Sequence, residues 1–263
     1  GDKENGIKDG IRTEWYAKFD LKNPAKNRNM PYTGVIDRPD LQEIYLQALP
    51  KGTVQNGDGL ASYEKRPDGK VTAILNSGKE IVGDVLIGAD GIWSAVRSTM
   101  RDAPKKGKGS GASYSGYTVF AGELAYDSPD NGQVGYKVYI GPGKYILFLD
   151  TRRNPGTPDT NHFSTGQYFV ITDIGNGNYQ WYAFLARPPD SADTTPMPDG
   201  SSKYLQGVFE GWSSEIHDIL KVTQEHEIEQ RDLYDRPPSV GKPWTDGNVA
   251  LLGDGIHGKY SSV

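Results

Sequence analysis

The sequence predicts an α/β fold with a β-rich middle, and three observations carry that expectation. A β-branched apolar run, Val85-Leu86-Ile87, breaks at Gly88-Ala89-Asp90-Gly91 and gives way to a helical pattern, which is the order strand, turn, helix. A second short apolar strand, Asn248 to Leu252, runs into Gly253-Asp254. Between the two lies a run of short aromatic strands separated by turn residues.

Taken in order, the first clear element is a helix over Pro39 to Leu49. Leu41, Ile44, Tyr45, Ala48 and Leu49 recur at helical spacing, Pro39 sits near the start and Pro50 stops it. Val71 to Leu75 and Glu80 to Ile87 read as two strands around the turn Asn76-Ser77-Gly78-Lys79. Trp93 to Met100 then reads as a helix, and residues 101–112 as a Gly/Lys/Pro loop. The aromatic strands are Tyr117 to Leu124, Val134 to Ile140, Tyr145 to Asp150, Gln167 to Thr172 and Tyr179 to Leu185, an antiparallel or mixed sheet. Pro188 to Gly200 is a linker, and Lys203 to Leu220 carries one broad helical stripe from Tyr204 to Leu220.

Composition narrows what such a chain does. Its 263 residues suffice for one large domain or two small ones with a real core. Lys and Arg number 29 against 34 Asp and Glu, a net charge of −5, which argues against a nucleic-acid partner held by phosphate neutralisation. The dense basic run Arg101 to Lys108, interrupted by Pro104 and Gly107, reads as a solvated loop. The absence of cysteine excludes disulfides, thiolate nucleophiles, iron–sulfur clusters and cysteine zinc sites. No stretch approaches the roughly 18 apolar residues of a membrane-spanning helix. The start at Gly1, without Met or a presequence, leads to the expectation that any targeting segment is already gone.

Two stretches are candidates for chemistry. Gly253-Asp254-Gly255-Ile256-His257-Gly258 is a literal G-x-G-x-x-G after a strand, but the dinucleotide fingerprint needs a following helix and strand, and only Lys259 to Val263 remain. The Rossmann reading of that match is therefore rejected. In Gly88 to Arg97, a buried strand ends in glycines that let backbone approach a ligand. Asp90 and Ser94 suit the open amides of a helix start, and Arg97 adds a planar cation suited to phosphate. An ordinary capped strand-turn-helix explains the same residues. His162, His217, His226 and His257 lack metal-ligand spacing, so no metal site is expected. Glu225, Glu227 and Glu229 beside Arg231 and Asp232 read as a solvated, salt-bridged element.

The run Asp90-Gly91-x-x-Ser94-x-Val96-Arg97 resembles the DG fingerprint of single-component flavoprotein monooxygenases. Leu252-Gly253-Asp254-x-x-His257 resembles their GD fingerprint, and Ile36-Asp37-Arg38-Pro39-x-Leu41 resembles the segment whose arginine opens their second helix. Within that class the chain is similar to the zeaxanthin epoxidase family. The segments are Gly10 to Asp20, Tyr114 to Tyr117, Gln180 to Phe184, Phe209 to Trp212 and Arg231 to Pro238. This resemblance implies an FAD-dependent enzyme of chloroplast stroma or thylakoid. NADPH would reduce the flavin, which would then deliver oxygen from dioxygen to an alkene of a xanthophyll such as zeaxanthin. The cofactor would do the hard chemistry while the protein positions and shields.

By matching positions, Arg38 would contact the flavin side. Asp90, Gly91 and Arg97 would serve the pyrophosphate and pyridine-nucleotide region, and Gly253 and Asp254 the ribitol or ribose hydroxyls of FAD. Trp181, Tyr182 and Phe184 would line a carotenoid pocket, although aromatic residues in strands equally serve sheet packing. The implied fold is a partial FAD-binding domain, residues 1–111 with a return segment at 240–263, flanking a β-rich substrate domain at 112–239. The family's N-terminal strand–GxGxxG–helix is expected before residue 1, and a Pro-x-x-Gly-Gln-Gly-like stretch after His257. The chain is then either a portion of a longer enzyme or a flavin-free remnant docked as a subunit of a photosynthetic membrane complex, with peripheral contact to a plastid membrane or pigment–protein assembly.

Overall fold

The computed structural model describes residues 4–31, 34–130, 132–141, 166–194, 197–237 and 241–257. Its elements run β1 (Glu4–Asp9), β2 (Trp15–Phe19), α1 (Lys22–Asn27), α2 (Arg38–Gln47), β3 (Leu60–Lys65), β4 (Val71–Leu75), β5 (Glu80–Gly83), β6 (Leu86–Gly88) and α3 (Ala95–Arg101). There follow β7 (Ser113–Ala125), β8 (Val134–Ile140), β9 (Gln167–Gly175), β10 (Asn178–Ala186), α4 (Ser191–Thr194), α5 (Ser201–Val208), α6 (Ser214–Val222), β11 (Glu229–Asp235), β12 (Thr245–Asp246), β13 (Val249–Leu251) and α7 (Asp254–His257). The expected α/β mixture with aromatic central strands is what forms. The expected strand over Tyr145 to Asp150 lies outside the described residues.

The chain divides into two compact units, one of residues 1–42 with 116–232 and one of residues 43–115 with 233–263. This differs from the expected division at 111/112 and 239/240. Residues 1–42 join the β-rich unit because β1 adds a parallel strand to β8, with Glu4 to Asp9 opposite Val134 to Ile140.

In the first unit a seven-stranded sheet is ordered β11-β7-β10-β9-β8-β1-β2. Period-two alternation sends Phe120, Tyr139, Phe169, Ile171, Trp181, Ala183 and Leu185 to one face, where they form a buried core with Leu205, Phe209, Ile216, Ile219 and Leu220 of the helical segment. Glycines set the closest approaches: a Cβ at Gly122 would lie 2.6 Å from the Trp181 ring, and one at Gly10 would lie 2.3 Å from the Trp212 ring. The single helix expected over Lys203 to Leu220 is two helices, α5 and α6. Gly211 turns the chain with φ +78°, and the Ser213 amide leaves the helical pattern to donate to the Gly10 carbonyl at 2.7 Å.

Beneath that core lies a buried ion network. Lys137, 1% exposed, donates to Glu215 at 2.8 Å and to Ser128 at 2.9 Å, and pairs with Asp130 at 3.0 Å. The other oxygen of Glu215 accepts the Tyr139 hydroxyl. The β1–β2 connection is held by Asp9, 3% exposed, which accepts the Tyr16 hydroxyl at 2.6 Å and the amides of Ile11 and Arg12 at 2.9 and 2.8 Å.

The second unit contains two three-stranded sheets, β3-β4-β5 antiparallel and β12-β13-β6. The strand expected over Glu80 to Ile87 is split between them: after Gly83 the chain leaves β4, and Leu86 to Gly88 pair in parallel with Val249 to Leu251. Tyr63, Val71, Val96, Val249 and Leu251 form a small buried core. Asp246 ties the two sheets by accepting the Tyr63 hydroxyl at 3.1 Å and the Lys65 ammonium at 2.6 Å. The helix expected over Pro39 to Leu49 forms as α2, yet it buries no residue, and Ile44 and Tyr45 are 55% and 64% exposed.

Two outcomes follow from the buried charges of the first unit. Lys137→Ala leaves buried Glu215 with only the 4.0 Å contact of Lys8, and the urea midpoint is expected to report a loss of about 3 kcal/mol. Hydrogen bonds from Tyr16 and from the Arg12 amide hold the Asp9 carboxyl well below its ordinary 3.8. The stability it contributes is therefore fully present above about pH 4 and lost as pH falls further, because the unfolded state binds the proton first. Acid titration followed by circular dichroism should show a shallower pH dependence below pH 4 in Asp9→Asn.

Candidate functional site

Adjacent parallel strands end side by side in the second unit, and both lead into glycine-containing turns. β6 ends at Gly88 and β13 at Leu251, and the Leu252 amide donates across to the Gly88 carbonyl at 2.9 Å. In parallel α/β sheets the carboxyl ends of neighbouring strands are where ligands are received. Residues 157 or more apart in sequence thereby converge: Arg97 of α3 reaches the backbone of Asp254 and Gly255.

The first turn is packed from below and open above. A Cβ at Gly88 would lie 2.6 Å from Val96 Cβ, so this glycine lets α3 sit against the strand end. Gly91 takes φ +77°, and no atom lies within 4 Å of where its Cβ would be. Ser94 caps α3 through its hydroxyl, which accepts the Arg97 amide at 2.9 Å. Asp90 Oδ2 accepts the Ala95 amide at 2.7 Å and the Val96 amide at 3.3 Å. The carboxylate of Asp90 therefore satisfies the helix start, leaving Oδ1 on the side of Gly255.

The second turn is built on the same plan. Gly253 takes φ +58° with open space at its missing Cβ, whereas a Cβ at Gly255 would lie 2.7 Å from the Gly88 carbonyl oxygen. Asp254 is exposed at the start of α7, and its carboxylate makes no hydrogen bond or ion pair among the described residues.

Arg97 joins the two turns. Its side chain is 3% exposed; Nη1 donates to the Gly255 carbonyl at 2.6 Å and Nη2 to the Ile92 carbonyl at 2.5 Å. Burial, with Arg236 and Arg101 nearby, lowers its pKa to about 10, so it stays charged at neutral pH. A planar cation suited to phosphate is thus occupied here by main-chain oxygens.

The remaining candidates are dispersed. Arg38 opens α2 and is exposed, in the first unit. Trp181, Tyr182 and Phe184 do not share a face, since β10 alternates. Trp181 is fully buried in the helix-covered core, stacked on Phe169 at 5.4 Å, with its indole N–H donating to Thr223 at 2.9 Å. Tyr182 and Phe184 point the other way; Phe184 stacks on Tyr168 at 4.2 Å and the Tyr182 hydroxyl donates to Gln180 at 2.7 Å. The expected aromatic trio is divided by the pleat. Sequence reasoning passed over Gly88 and Gly255 as packing contacts, although the close spacing of small residues after a strand is itself the signal. Among the described residues no cluster of three His, Asp or Glu side chains could hold a metal, and no helix is long and apolar enough to cross a membrane.

The sequence and the fold have counterparts among known proteins. No protein-family model matches the chain. Zeaxanthin epoxidase of Arabidopsis thaliana, named chloroplastic, is 39% identical over 257 residues, 98% of this chain and 33% of the relative. The enzymes of Spinacia oleracea and Oryza sativa subsp. japonica are 37% and 38% identical over the same share of the chain. The chain spans about a third of the length of these relatives. Among solved structures, Klebsiella pneumoniae HpxO complexed with FAD and uric acid superposes with a TM-score of 0.72 at 18% identity, over 98% of this chain and 57% of that one. A salicylate hydroxylase substrate complex superposes at 0.60 and 17% identity, over 97% and 57%. The chain is accordingly a relative of the zeaxanthin epoxidases, matching about a third of their length, and carries the fold of the FAD-dependent hydroxylase-type monooxygenases.

Proposed function

We propose that this chain serves an FAD- and NADPH-dependent monooxygenase of the chloroplast that epoxidises a ring alkene of a xanthophyll such as zeaxanthin. The observation that carries this reading is the pair of glycine turns at the ends of β6 and β13, locked together by Arg97 and flanked by Asp90 and Asp254. These residues fit a nucleotide cofactor. The backbone at Gly91 and Gly253 is open on the side where a Cβ would stand, and the exposed Asp254 carboxylate is a ready acceptor for sugar hydroxyls. When bound, FAD would supply the redox and oxygen chemistry.

The chain's own residues bind and orient. Asp254 would accept ribityl or ribose hydroxyls, and Asp90, anchored through Oδ2 on the α3 amides, would fix the start of α3 beside the pyrophosphate region. Arg97 would hold both turns in register rather than touch the ligand. Tyr182, half-buried on the sheet face opposite the helices, is better suited to an elongated apolar substrate than Trp181, whose ring is enclosed, and Phe184 on the same face is itself buried against Tyr168.

A second reading, a flavin-free homologue docked in a pigment-bearing membrane assembly, has one observation in its favour. α2 carries an apolar stripe that buries nothing, with Leu41, Ile44 and Tyr45 exposed, and Leu49 just after it is exposed too. Flavin separates the two. Purified protein incubated with FAD and desalted is expected to retain an oxidised-flavin spectrum. Asp254→Ala should weaken FAD binding by about 10–100-fold, the worth of a hydrogen bond to a charged acceptor, with an unchanged melting temperature. Protein that stays colourless, or binds FAD equally well without the Asp254 carboxylate, would overturn the flavin reading.

A further inference from the structure

Three guanidiniums gather behind the first turn, and among the described residues no carboxylate forms an ion pair with them; Asp90 acts on Arg97 only through its field. Arg97 and Arg236 both donate to the carbonyl oxygen of Ile92, so their side chains are neighbours, and Arg236 also donates to the Ser110 carbonyl. Arg236 is 3% exposed. Arg101 lies one turn after Arg97 on the same face of α3, and its charge, with that of Arg236, lowers the proton affinity of Arg97. Among the described residues no carboxylate forms an ion pair or hydrogen bond with Arg101 or Arg236. Nε and Nη2 of Arg101 and Nε of Arg236 are buried donors with no acceptor.

Such a cluster is costly by itself. Buried charges are ordinarily paired, and buried N–H groups ordinarily find an acceptor. Nε and Nη2 form the side edge of a guanidinium, the fork that meets two oxygens of one tetrahedral anion. Exposed Lys105, Lys106 and Lys108 follow in the loop after Arg101 and add to the positive charge of this segment. A single carboxylate would leave net positive charge; a phosphoryl group brings close to two negative charges at neutral pH.

We propose that Arg101 and Arg236 form a recessed binding site for a phosphoryl group, either free phosphate or the phosphate of a nucleotide. Arg97, already committed to Ile92 and Gly255, adds charge but no free donor. Neither the matched fingerprints nor the flavin reading assigns Arg101 or Arg236 a ligand.

The test is a melting-temperature titration of the purified chain with inorganic phosphate at fixed ionic strength, with chloride as the reference anion. Saturating phosphate is expected to raise the midpoint by about 5 °C. Arg101→Gln, which removes donors that hold nothing in the fold, should melt no lower than the parent without phosphate and should lose that rise. A parallel calorimetric titration with 2′,5′-ADP, against adenosine as control, distinguishes the two sources. Affinity at least tenfold above that of inorganic phosphate, lost in Arg101→Gln, assigns a nucleotide phosphate; affinity no greater than that of inorganic phosphate assigns the free anion. No rise beyond that in chloride, or an equal rise in Arg101→Gln, would overturn the site. Neither readout involves flavin, so the result is independent of the monooxygenase reading.

Discussion

The candidate site depends on one buried cation whose hydrogen bonds, among the described residues, all go to main-chain oxygens. Arg97 lies 3% exposed between two turns, with the Ile92 carbonyl on one side and the Gly255 carbonyl on the other. Three-residue strands are weak holders by themselves, and β6 and β13 share only three residue pairs. The guanidinium adds charge-assisted bonds across the same gap. Glycine makes the fit possible, since a side chain at 88 would strike Val96 and one at 255 would strike the Gly88 carbonyl. Asp90 then fixes the start of α3, from which Arg97 projects. Strand pairing, helix capping and the buried cation each presuppose the other two.

Much of the fold was legible because the central strands announce themselves. β8 and β10 read from alternating aromatic and β-branched residues between glycine turns, and their bounds agree with the sequence to within a residue or so. β1, Glu-Asn-Gly-Ile-Lys-Asp, was illegible for a physical reason: it draws its order from parallel pairing with a strand some 130 residues away, not from its own apolar content. The break between α5 and α6 was hidden because Gly211 sits within an uninterrupted apolar stripe. What ends α5 there is a tertiary hydrogen bond from Ser213 to Gly10. The split of Glu80 to Ile87 into two strands belongs to the same class, since a change of partner sheet leaves no local mark beyond Gly83 and Asp84.

The site was legible in its skeleton and not in its division of labour. The glycines and carboxylates at 88–91 and 253–254 follow from a buried strand that ends abruptly, and they do converge. That Arg97 turns inward onto carbonyls could not be read from its residue type, because the same planar fork serves phosphate and main chain alike. The aromatic residues of β10 were grouped by chemistry when the pleat separates them by parity, with Trp181 on one face and Tyr182 and Phe184 on the other. Likewise Arg101, at the head of a run that reads as solvated, has its Nε and Nη2 buried, while the lysines after it are exposed.

Among the described residues the latch formed by Arg97 engages only main-chain oxygens, and that has a bearing on how such chains diversify. The side chains at positions 92 and 254 can drift without loosening it, so coevolution between position 97 and its contacts should be faint even though the geometry is strict. Only Gly255, constrained by the strand beside it, would betray the connection in a comparison of lineages. A fastening of this kind is silent in its partners, and is found by where atoms lie rather than by which residues change together.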